Sequence, residues 1–157
     1  MTEPTAGLHS YLESLARTSS ERWTVSACGV TGSRQNIPAL LDKDAYAPAS
    51  NTVPVLLISG LSGHEDDVAL ARHTLELIQD SGSGLANHIG LSAVPCCNPD
   101  GLRDLSTGYP PTNNFFNDAE EPEKRYLWRW ICFQAPSLVL ELRSGGSVRW
   151  QSNDAGG

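Results

Sequence analysis

The sequence lacks the features that mark several large classes of protein. It has no cluster of Lys or Arg, and its 11 basic residues against 18 acidic ones give a formal net charge of −7. Because an acidic chain repels a phosphate backbone, we expect no nucleic acid partner. The longest apolar run, residues 53–61, is too short to cross a bilayer, and the N-terminus lacks the basic and apolar regions of a signal peptide. We therefore expect a soluble, cytoplasmic protein with no membrane partner.

Several motifs of enzymes and metal sites are also missing. The chain contains neither the G-x-S-x-G elbow of serine hydrolases nor a glycine-rich phosphate loop that precedes a helix. Its four cysteines form no C-x-x-C pair, which excludes a zinc knuckle or a thioredoxin-type motif. Each lies in an apolar stretch, so we expect buried free thiols at Cys28, Cys96, Cys97 and Cys132. An open alternative is a thiol nucleophile at Cys96 or Cys97, with His64 as its base.

What the sequence does contain is an alternation of strand and helix patterns along 157 residues, a length that suits one domain. A short amphipathic helix is predicted over 7–18, and two strand-like runs around the turn at 31–33 predict a hairpin. Apolar runs that suit strands buried on both faces then alternate with helical patterns, the runs at 53–60, 88–97 and 137–146 and the helices at 66–80 and 121–135. This order predicts an α/β three-layer sandwich, with helices on both faces of a mostly parallel mixed sheet.

Three unusual sequence patches follow the three predicted buried strands, at residues 60–65, 98–101 and 143–146. In sheets of this kind, ligands bind outside the carboxyl ends of the strands. We therefore expect any functional site at this end of the sheet. The stretch 102–120 has no periodicity and is interrupted by Gly, Pro and Asn, which predicts a long surface loop of a kind that often carries function.

Read in order as ISGLSGHEDD, VPCCNPDGL and LVLELRSGG, these patches resemble the zinc carboxypeptidase family, which includes deacylases of the succinylglutamate desuccinylase type. That family has G-x-H-G-x-E, P-x-x-N-P-D-G and D-L-H-S-G-G in the same order. The early segment GVTGSRQNIPALL also resembles the family's hairpin, so the resemblance covers nearly the whole chain. It implies a carboxypeptidase-like fold, zinc as the cofactor, and a peptide or small amide as the ligand.

The resemblance also implies where the family's zinc ligands fall. The family uses a histidine and a glutamate from the first patch and a histidine from the third, which leaves one position on zinc for water or substrate. In an ungapped match, Ser62 replaces the first histidine, Glu65 matches the glutamate, and Arg143 replaces the second histidine. A serine hydroxyl keeps its proton and an arginine repels a dication, so two of the three ligand positions are altered. We therefore assign no catalytic residue.

Two arrangements of the altered site remain open. In one, Arg143 and Glu65 form an ion pair where zinc would sit. In the other, a relocated metal site uses His64 and Glu65, with Asp67 as a further ligand. Without either, His64 is a solvent-facing loop residue and Asp67 stabilises the start of the following helix.

The residues that would contact a substrate are altered in the same way. Where family carboxypeptidases carry L-N-R-N-F, this chain has PTNNF at 111–115, so Thr112 and Asn113 replace the Asn-Arg pair that grips a substrate carboxylate. The other candidates for the substrate cleft, which lie in or near the second patch, are Asn98, Asp100 and Arg103.

The resemblance implies a single domain, 1–157, that lacks the family's C-terminal half and its general-base glutamate. The expected function is therefore a catalytically impaired carboxypeptidase-like domain with a binding or scaffold role. The alternative is an atypical metallocarboxypeptidase or amide hydrolase that uses a relocated zinc near Glu65. Because part of the family's sheet would be missing, we expect an open sheet edge that a second copy or a partner chain covers.

Overall fold

The computed structural model describes residues 7–19, 22–44, 47, 51–81, 88–101, 104–105 and 121–145. In these ranges, three helices and five strands follow one another in the predicted order. They are α1 (Leu8–Thr18), β1 (Trp23–Val30), β2 (Asn36–Asp42), β3 (Val53–Ser59), α2 (Glu65–Asp80), β4 (Ile89–Val94), α3 (Pro122–Gln134) and β5 (Leu138–Leu142). None of the described helices is long and apolar enough to cross a membrane. The predicted loop at 102–120 lies almost entirely outside the described residues.

The five strands form one mixed sheet in the order β1-β2-β4-β3-β5. β1 and β2 pair antiparallel as the predicted hairpin, and β2 also runs antiparallel to β4. β3 lies between β4 and β5 and is parallel to both. The α/β class is therefore confirmed, and the carboxyl ends of β3, β4 and β5 meet at one end of the sheet, which we call the carboxyl end.

A hydrophobic layer covers each face of the sheet, because successive strand residues point to opposite faces. In β3, Val55 and Leu57 belong to one core cluster, while Leu56 and Ile58 belong to the other. Helices α1 and α2 complete the first cluster and α3 completes the second, with buried side chains at Leu8, Leu12, Val68, Leu75, Leu127 and Ile131. β3 is thus buried on both faces, which explains its continuous apolar run and confirms the three-layer arrangement.

A buried carboxylate joins the hairpin to the rest of the sheet. Asp42, at the end of β2, accepts hydrogen bonds from Leu91 N at 3.0 Å and from Asp44 N at 2.9 Å. The Arg22 guanidinium lies 3.3 Å from the same carboxylate, and Asp42 N donates to Ser92 Oγ at 3.1 Å. These bonds fix β2 against β4, where the sheet changes from antiparallel to parallel pairing.

The hairpin also approaches α3 closely. β1 has a bulge between Ala27 and Gly29, and a Cβ built on Gly29 would lie 2.3 Å from Cγ of Tyr126. Next to this contact, Gly32 N donates a hydrogen bond to Glu123 Oε1 at 2.9 Å. The missing side chain at Gly29 therefore lets α3 pack directly on β1.

We expect Gly29→Ala to lower the free energy of unfolding by about 1–3 kcal/mol, because the added methyl group must displace the Tyr126 ring or shift α3. Gly32→Ala is the matched control, since the nearest atom to a Cβ at Gly32 would lie at 3.9 Å. Urea denaturation followed by tryptophan fluorescence measures both variants. Equal stability of the two would contradict the close contact between β1 and α3.

Candidate functional site

The carboxyl end of the sheet is built by the loops that follow β3 and β4. After β3, Gly60 and Gly63 have φ angles of 69° and 78°, in the left-handed region that favours glycine. A Cβ on Gly63 would lie 2.9 Å from Cα of Gly101 in the next loop. The two loops are therefore in direct backbone contact, which explains why glycines occur in both sequence patches.

The Asn-Pro-Asp-Gly segment braces these loops. Asn98 is buried, and its side chain donates to Leu61 O at 3.1 Å and accepts from Gly101 N at 3.3 Å. The Asp100 carboxylate accepts hydrogen bonds from Ser33 Oγ at 2.6 Å and from Ser33 N at 3.2 Å. Both cleft candidates therefore lie at the predicted end of the sheet, with side chains that hold neighbouring loops together. Ligand contact by either residue stays a prediction.

The centre of the site is the carboxylate of Asp67. This residue lies in the first turn of α2, and only 2% of its surface is exposed. One carboxylate oxygen accepts a short hydrogen bond from Ser62 Oγ, in the loop after β3. The other accepts from the backbone N and the hydroxyl of Ser144, each at 2.6 Å, in the segment after β5. Asp67 thus joins α2 to the chain segments that leave two neighbouring strands.

A second serine strengthens the same junction from inside the sheet. Ser59, the last residue of β3, is fully buried. Its hydroxyl lies 2.8 Å from Asp67 O and 2.7 Å from Leu142 O. Because a hydroxyl has one proton, it is shared between the last carbonyl of β5 and the first turn of α2. We call Ser59, Ser62, Asp67 and Ser144 the serine–aspartate cluster.

Burial and hydrogen bonding act in opposite directions on Asp67. Burial raises the pKa of the carboxyl group, but the hydrogen bonds from Ser144 and Ser62 and the nearby His64 outweigh it and leave the pKa below its ordinary value. A group whose pKa is lowered by folding stabilises the folded state when ionised. Its contribution is present above the unfolded pKa and is lost as the pH falls through the folded pKa.

We expect Asp67→Asn to lower the free energy of unfolding near neutral pH by about 1–3 kcal/mol, because an amide nitrogen cannot accept the hydrogen bond from a serine. The variant should also lose less stability than the wild type as the pH falls through the acid range. Asp66→Asn, an exposed neighbour in the same helical turn, is the control and should keep the wild-type pH profile. Urea denaturation at a series of pH values measures all three proteins, and parallel profiles for wild type and Asp67→Asn would contradict this role.

Of the arrangements left open by the sequence, the ion pair between Arg143 and Glu65 is not formed in the structure. Arg143 Nε lies 2.5 Å from Glu141 Oε1, two residues back along the same chain segment. The hydrogen bond to Glu141 raises the pKa of Arg143 against the opposing effect of burial, and Asp104 and Asp67 add to the rise. Glu65 is the first residue of α2 and is exposed to solvent. The guanidinium is therefore paired with a carboxylate two residues earlier in the chain rather than with α2.

The residues at the ligand positions that the resemblance implies do not fit a zinc ion. The hydroxyl proton of Ser62 is donated to Asp67, and Arg143 supplies a positive charge, so Glu65 alone keeps a suitable donor. The relocated site at His64, Glu65 and Asp67 does not fit a zinc ion either, because the Asp67 carboxylate accepts hydrogen bonds from the two serines. Within the described residues, no group of three or more His, Cys, Asp or Glu is placed to hold a metal ion. His64 is exposed and precedes α2, in agreement with a loop position.

The cysteines differ from the prediction at one position. All four are free thiols, and Cys28, Cys96 and Cys97 are buried as predicted, whereas Cys132 on α3 is exposed. Burial raises the pKa of Cys28 and of Cys96 to about 12 and that of Cys97 well above its usual value. A protonated thiol is a poor nucleophile, so the structure does not support a cysteine nucleophile at Cys96 or Cys97.

Some predicted site residues cannot be placed, and others were missed. Arg103, Thr112 and Asn113 lie outside the described residues. The sequence predicts no role for Ser144 or Ser59, and it suggests Asp67 only as a further ligand of a relocated metal site or as a residue that stabilises the helix start. One signal for Asp67 was present, because the buried residues Ala71 and Leu75 of α2 follow it at helical spacing and place it on the buried face.

The fold is that of the metallocarboxypeptidases, at the level of overall architecture. A metallo-carboxypeptidase from Burkholderia cenocepacia is similar with a TM-score of 0.67 and 16% identity, over 85% of this chain and 39% of that one. Bovine thrombin-activatable fibrinolysis inhibitor is similar with a TM-score of 0.68 and 11% identity, over 95% of this chain and 65% of that one. Carboxypeptidase A from Helicoverpa armigera is similar with a TM-score of 0.54 and 22% identity, over 61% and 24%.

These similarities concern the fold and do not establish a function. The chain spans less than two thirds of the length of each of these solved structures, and the low identities establish likeness of fold alone. No protein-family model and no curated protein matches the sequence. Function must therefore be argued from the site itself.

Proposed function

We propose that this chain is a carboxypeptidase-like domain that does not hydrolyse peptides through zinc and acts as a binding or scaffold module. The observation that carries this proposal is the serine–aspartate cluster. Asp67 bridges Ser62, at the position of the family's first histidine, and Ser144, which follows the position of the second. These hydrogen bonds support the proposal, because they engage residues at or next to two of the ligand positions that the family resemblance implies.

The charge balance of this region supports the same proposal. A catalytic zinc site needs neutral or anionic donors that converge on one point and an open position for water. Here the converging groups are hydroxyl and amide donors that point at a carboxylate, and the Arg143 guanidinium is already paired with Glu141. Such a set stabilises an anion within the protein, and three hydrogen bonds from Ser62 and Ser144 already use most of the roughly four acceptor sites of the Asp67 carboxylate.

The proposed ligand is a peptide or a small amide at the carboxyl end of the sheet. In sheets with parallel strands, this end is where the loops diverge and ligands bind. The Arg143 side chain is 47% exposed there, so its guanidinium can still meet the carboxylate of a ligand. The alternative of a metal-dependent hydrolase built on His64, Glu65 and Asp67 has no described observation in its favour.

Metal content tests the proposal directly. We expect the purified, untagged protein to hold no stoichiometric zinc by elemental analysis after incubation with excess zinc and removal of unbound metal. It should also release no product from a panel of peptide and N-acyl amino acid substrates, beside an active carboxypeptidase as positive control.

A matched pair of variants distinguishes zinc bound at Glu65 from zinc bound elsewhere on the protein. Glu65→Ala removes the remaining family ligand, and His73→Ala removes an exposed histidine in the middle of α2. Stoichiometric zinc that Glu65→Ala loses and His73→Ala keeps, together with hydrolysis that follows the zinc, would contradict the proposal. Equal and trace zinc in all three proteins is the expected result.

A further inference from the structure

The turn after β4 places an aspartate directly before a glycine. Asp100-Gly101 is the only Asp-Gly pair in the sequence, which contains no Asn-Gly pair. In such a pair the glycine nitrogen meets little steric hindrance when it attacks the side-chain carboxyl group of the aspartate, because glycine has no Cβ. The neighbouring Asn98 cannot react in this way, since the nitrogen of Pro99 carries no proton. The pair at 100–101 is therefore the position in the chain where this backbone reaction is most favoured.

The fold requires both residues of the pair. Gly101 has a φ angle of 60°, in the left-handed region that favours glycine, and a Cβ on Gly63 would lie 2.9 Å from its Cα. The Asp100 carboxylate accepts both hydrogen bonds from Ser33 in the hairpin turn. Exchange of either residue for a less reactive one would therefore cost a contact between loops.

The reaction changes the main chain without changing its composition. The Gly101 nitrogen attacks Cγ of the protonated Asp100 carboxyl group, and a C–N bond forms. The amide proton and the carboxyl hydroxyl group leave as one water molecule, which gives a five-membered succinimide ring. Water then breaks the bond between Gly101 N and the main-chain carbonyl carbon of Asp100. Its hydroxyl adds to that carbon, its proton returns to the nitrogen, and the product is isoaspartate, in which the main chain runs through Cβ and Cγ.

The hairpin turn holds the carboxyl group that would react. Ser33 Oγ donates to Asp100 at 2.6 Å and Ser33 N at 3.2 Å, so both carboxylate oxygens are engaged. The turn is itself held, because Thr31 Oγ1 lies 3.1 Å from Ser33 Oγ and Gly32 N donates to Glu123 at 2.9 Å. Rotation of the Asp100 carboxyl group towards Gly101 N therefore requires release from the hairpin.

Asn98 holds the nitrogen that would attack. Gly101 N donates to Asn98 O at 3.2 Å and to Asn98 Oδ1 at 3.3 Å, which closes a turn over 98–101. Non-glycine residues with positive φ in the described part of the chain are Arg34 and Ala135, so Asp100 has the negative φ of a type I turn. The amide proton thus points at Asn98, whereas the ring forms only when this proton is lost and the nitrogen faces Cγ of Asp100.

The two restraints differ in how easily they open. Asn98 is only 3% exposed, whereas Ser33 is exposed and Asp100 is partly exposed. Solvent-exposed hydrogen bonds in loops open at a lower free energy than buried ones. The contact between Ser33 and Asp100 is therefore the restraint whose opening sets how often the reactive arrangement is reached.

We propose that Asp100 is a latent site of isoaspartate formation, which the Ser33–Asp100 contact keeps unreactive while the hairpin turn stays docked on the 98–101 turn. The co-reactant is water, and no enzyme is needed. The inference concerns a modification of the backbone and stands apart from the binding role proposed for the carboxyl end of the sheet.

The modification would change the carboxyl end of the sheet. Isoaspartate adds one carbon to the main chain between Cα of residue 100 and Gly101 N. The close approach of Gly63 to Gly101 tolerates no such shift, because a Cβ at Gly63 would already lie 2.9 Å from Gly101 Cα. The free carboxylate also moves onto Cα, away from its position opposite Ser33. The modified chain should therefore lose the contact that restrained it.

The rate of isoaspartate formation in the full chain tests this proposal. The folded proteins are incubated at mildly acidic pH, isoaspartate is labelled with an isoaspartyl-specific methyltransferase, and peptide mapping locates it. Ser33→Ala should form isoaspartate at residue 100 about tenfold faster than the wild type, since loss of the hydroxyl raises the population of the open contact. Ser33→Thr keeps a hydroxyl and should stay near the wild-type rate. Ser26→Ala, at an exposed serine of β1, is the matched control.

Further measurements separate local opening from general loss of stability. Leu75→Val weakens the core around α2 without touching the contact and should accelerate the reaction less than Ser33→Ala. In the wild type, the rate should already rise at urea concentrations below the unfolding transition, which tests the contact without any variant. Asp100→Glu should remove the signal, because its longer side chain cannot form the five-membered ring.

Three results would overturn the proposal. Urea-unfolded wild type that forms no isoaspartate at residue 100 would show that the pair is not a modification site. A folded Ser33→Ala variant that reacts at the wild-type rate would show that the contact does not control it. Equal acceleration in Leu75→Val and Ser33→Ala, or a wild-type rate that rises only with global unfolding, would assign the protection to the fold as a whole.

Discussion

The carboxyl end of this protein depends on how one buried carboxylate is satisfied. A carboxylate removed from water costs several kcal/mol unless hydrogen bonds replace its hydration. Asp67 is buried, and Ser62 and Ser144 supply those bonds from the segments that follow β3 and β5. Because neither segment can move away without leaving the charge unpaired, Asp67 fixes the ends of two strands and the start of α2 together.

This arrangement does for the loops what a bound metal does in a metal site. A metal ion draws ligands from different segments to one point, and its binding energy then contributes to folding. Here the converging groups are donors and the point of convergence is an anion that belongs to the chain. The polarity of the region is therefore the reverse of that in a zinc site. Arg143 agrees with this reversal, because a guanidinium attracts an anion and repels a cation.

The sequence predicts the framework better than the site for a geometric reason. The continuous apolar run at 53–59 favours a strand buried on both faces, whatever the conformation of the neighbouring loops. The strand pattern alone therefore predicts β3. The choice between Glu65 and Asp67 depends instead on the rotation of α2, in which residues two apart point about 200° apart. Motif matching selects Glu65, whereas the helix turns Asp67 inward. The partner of Arg143 depends on local geometry in the same way. Alternate residues of an extended segment share a face, so Glu141, rather than Glu65 of α2, lies beside the Arg143 guanidinium.

The serine–aspartate cluster is also connected to β5, which pairs only with β3 among the described residues. Ser144 N and Oγ both bond Asp67, and Ser59 Oγ reaches Leu142 O, so the last residues of β5 are held in place from the α2 side. An edge strand with a fixed end loses less conformational entropy when a second strand pairs with it, because its backbone is already ordered. The serines that satisfy one carboxylate therefore also hold the end of β5 in the conformation that pairs with β3.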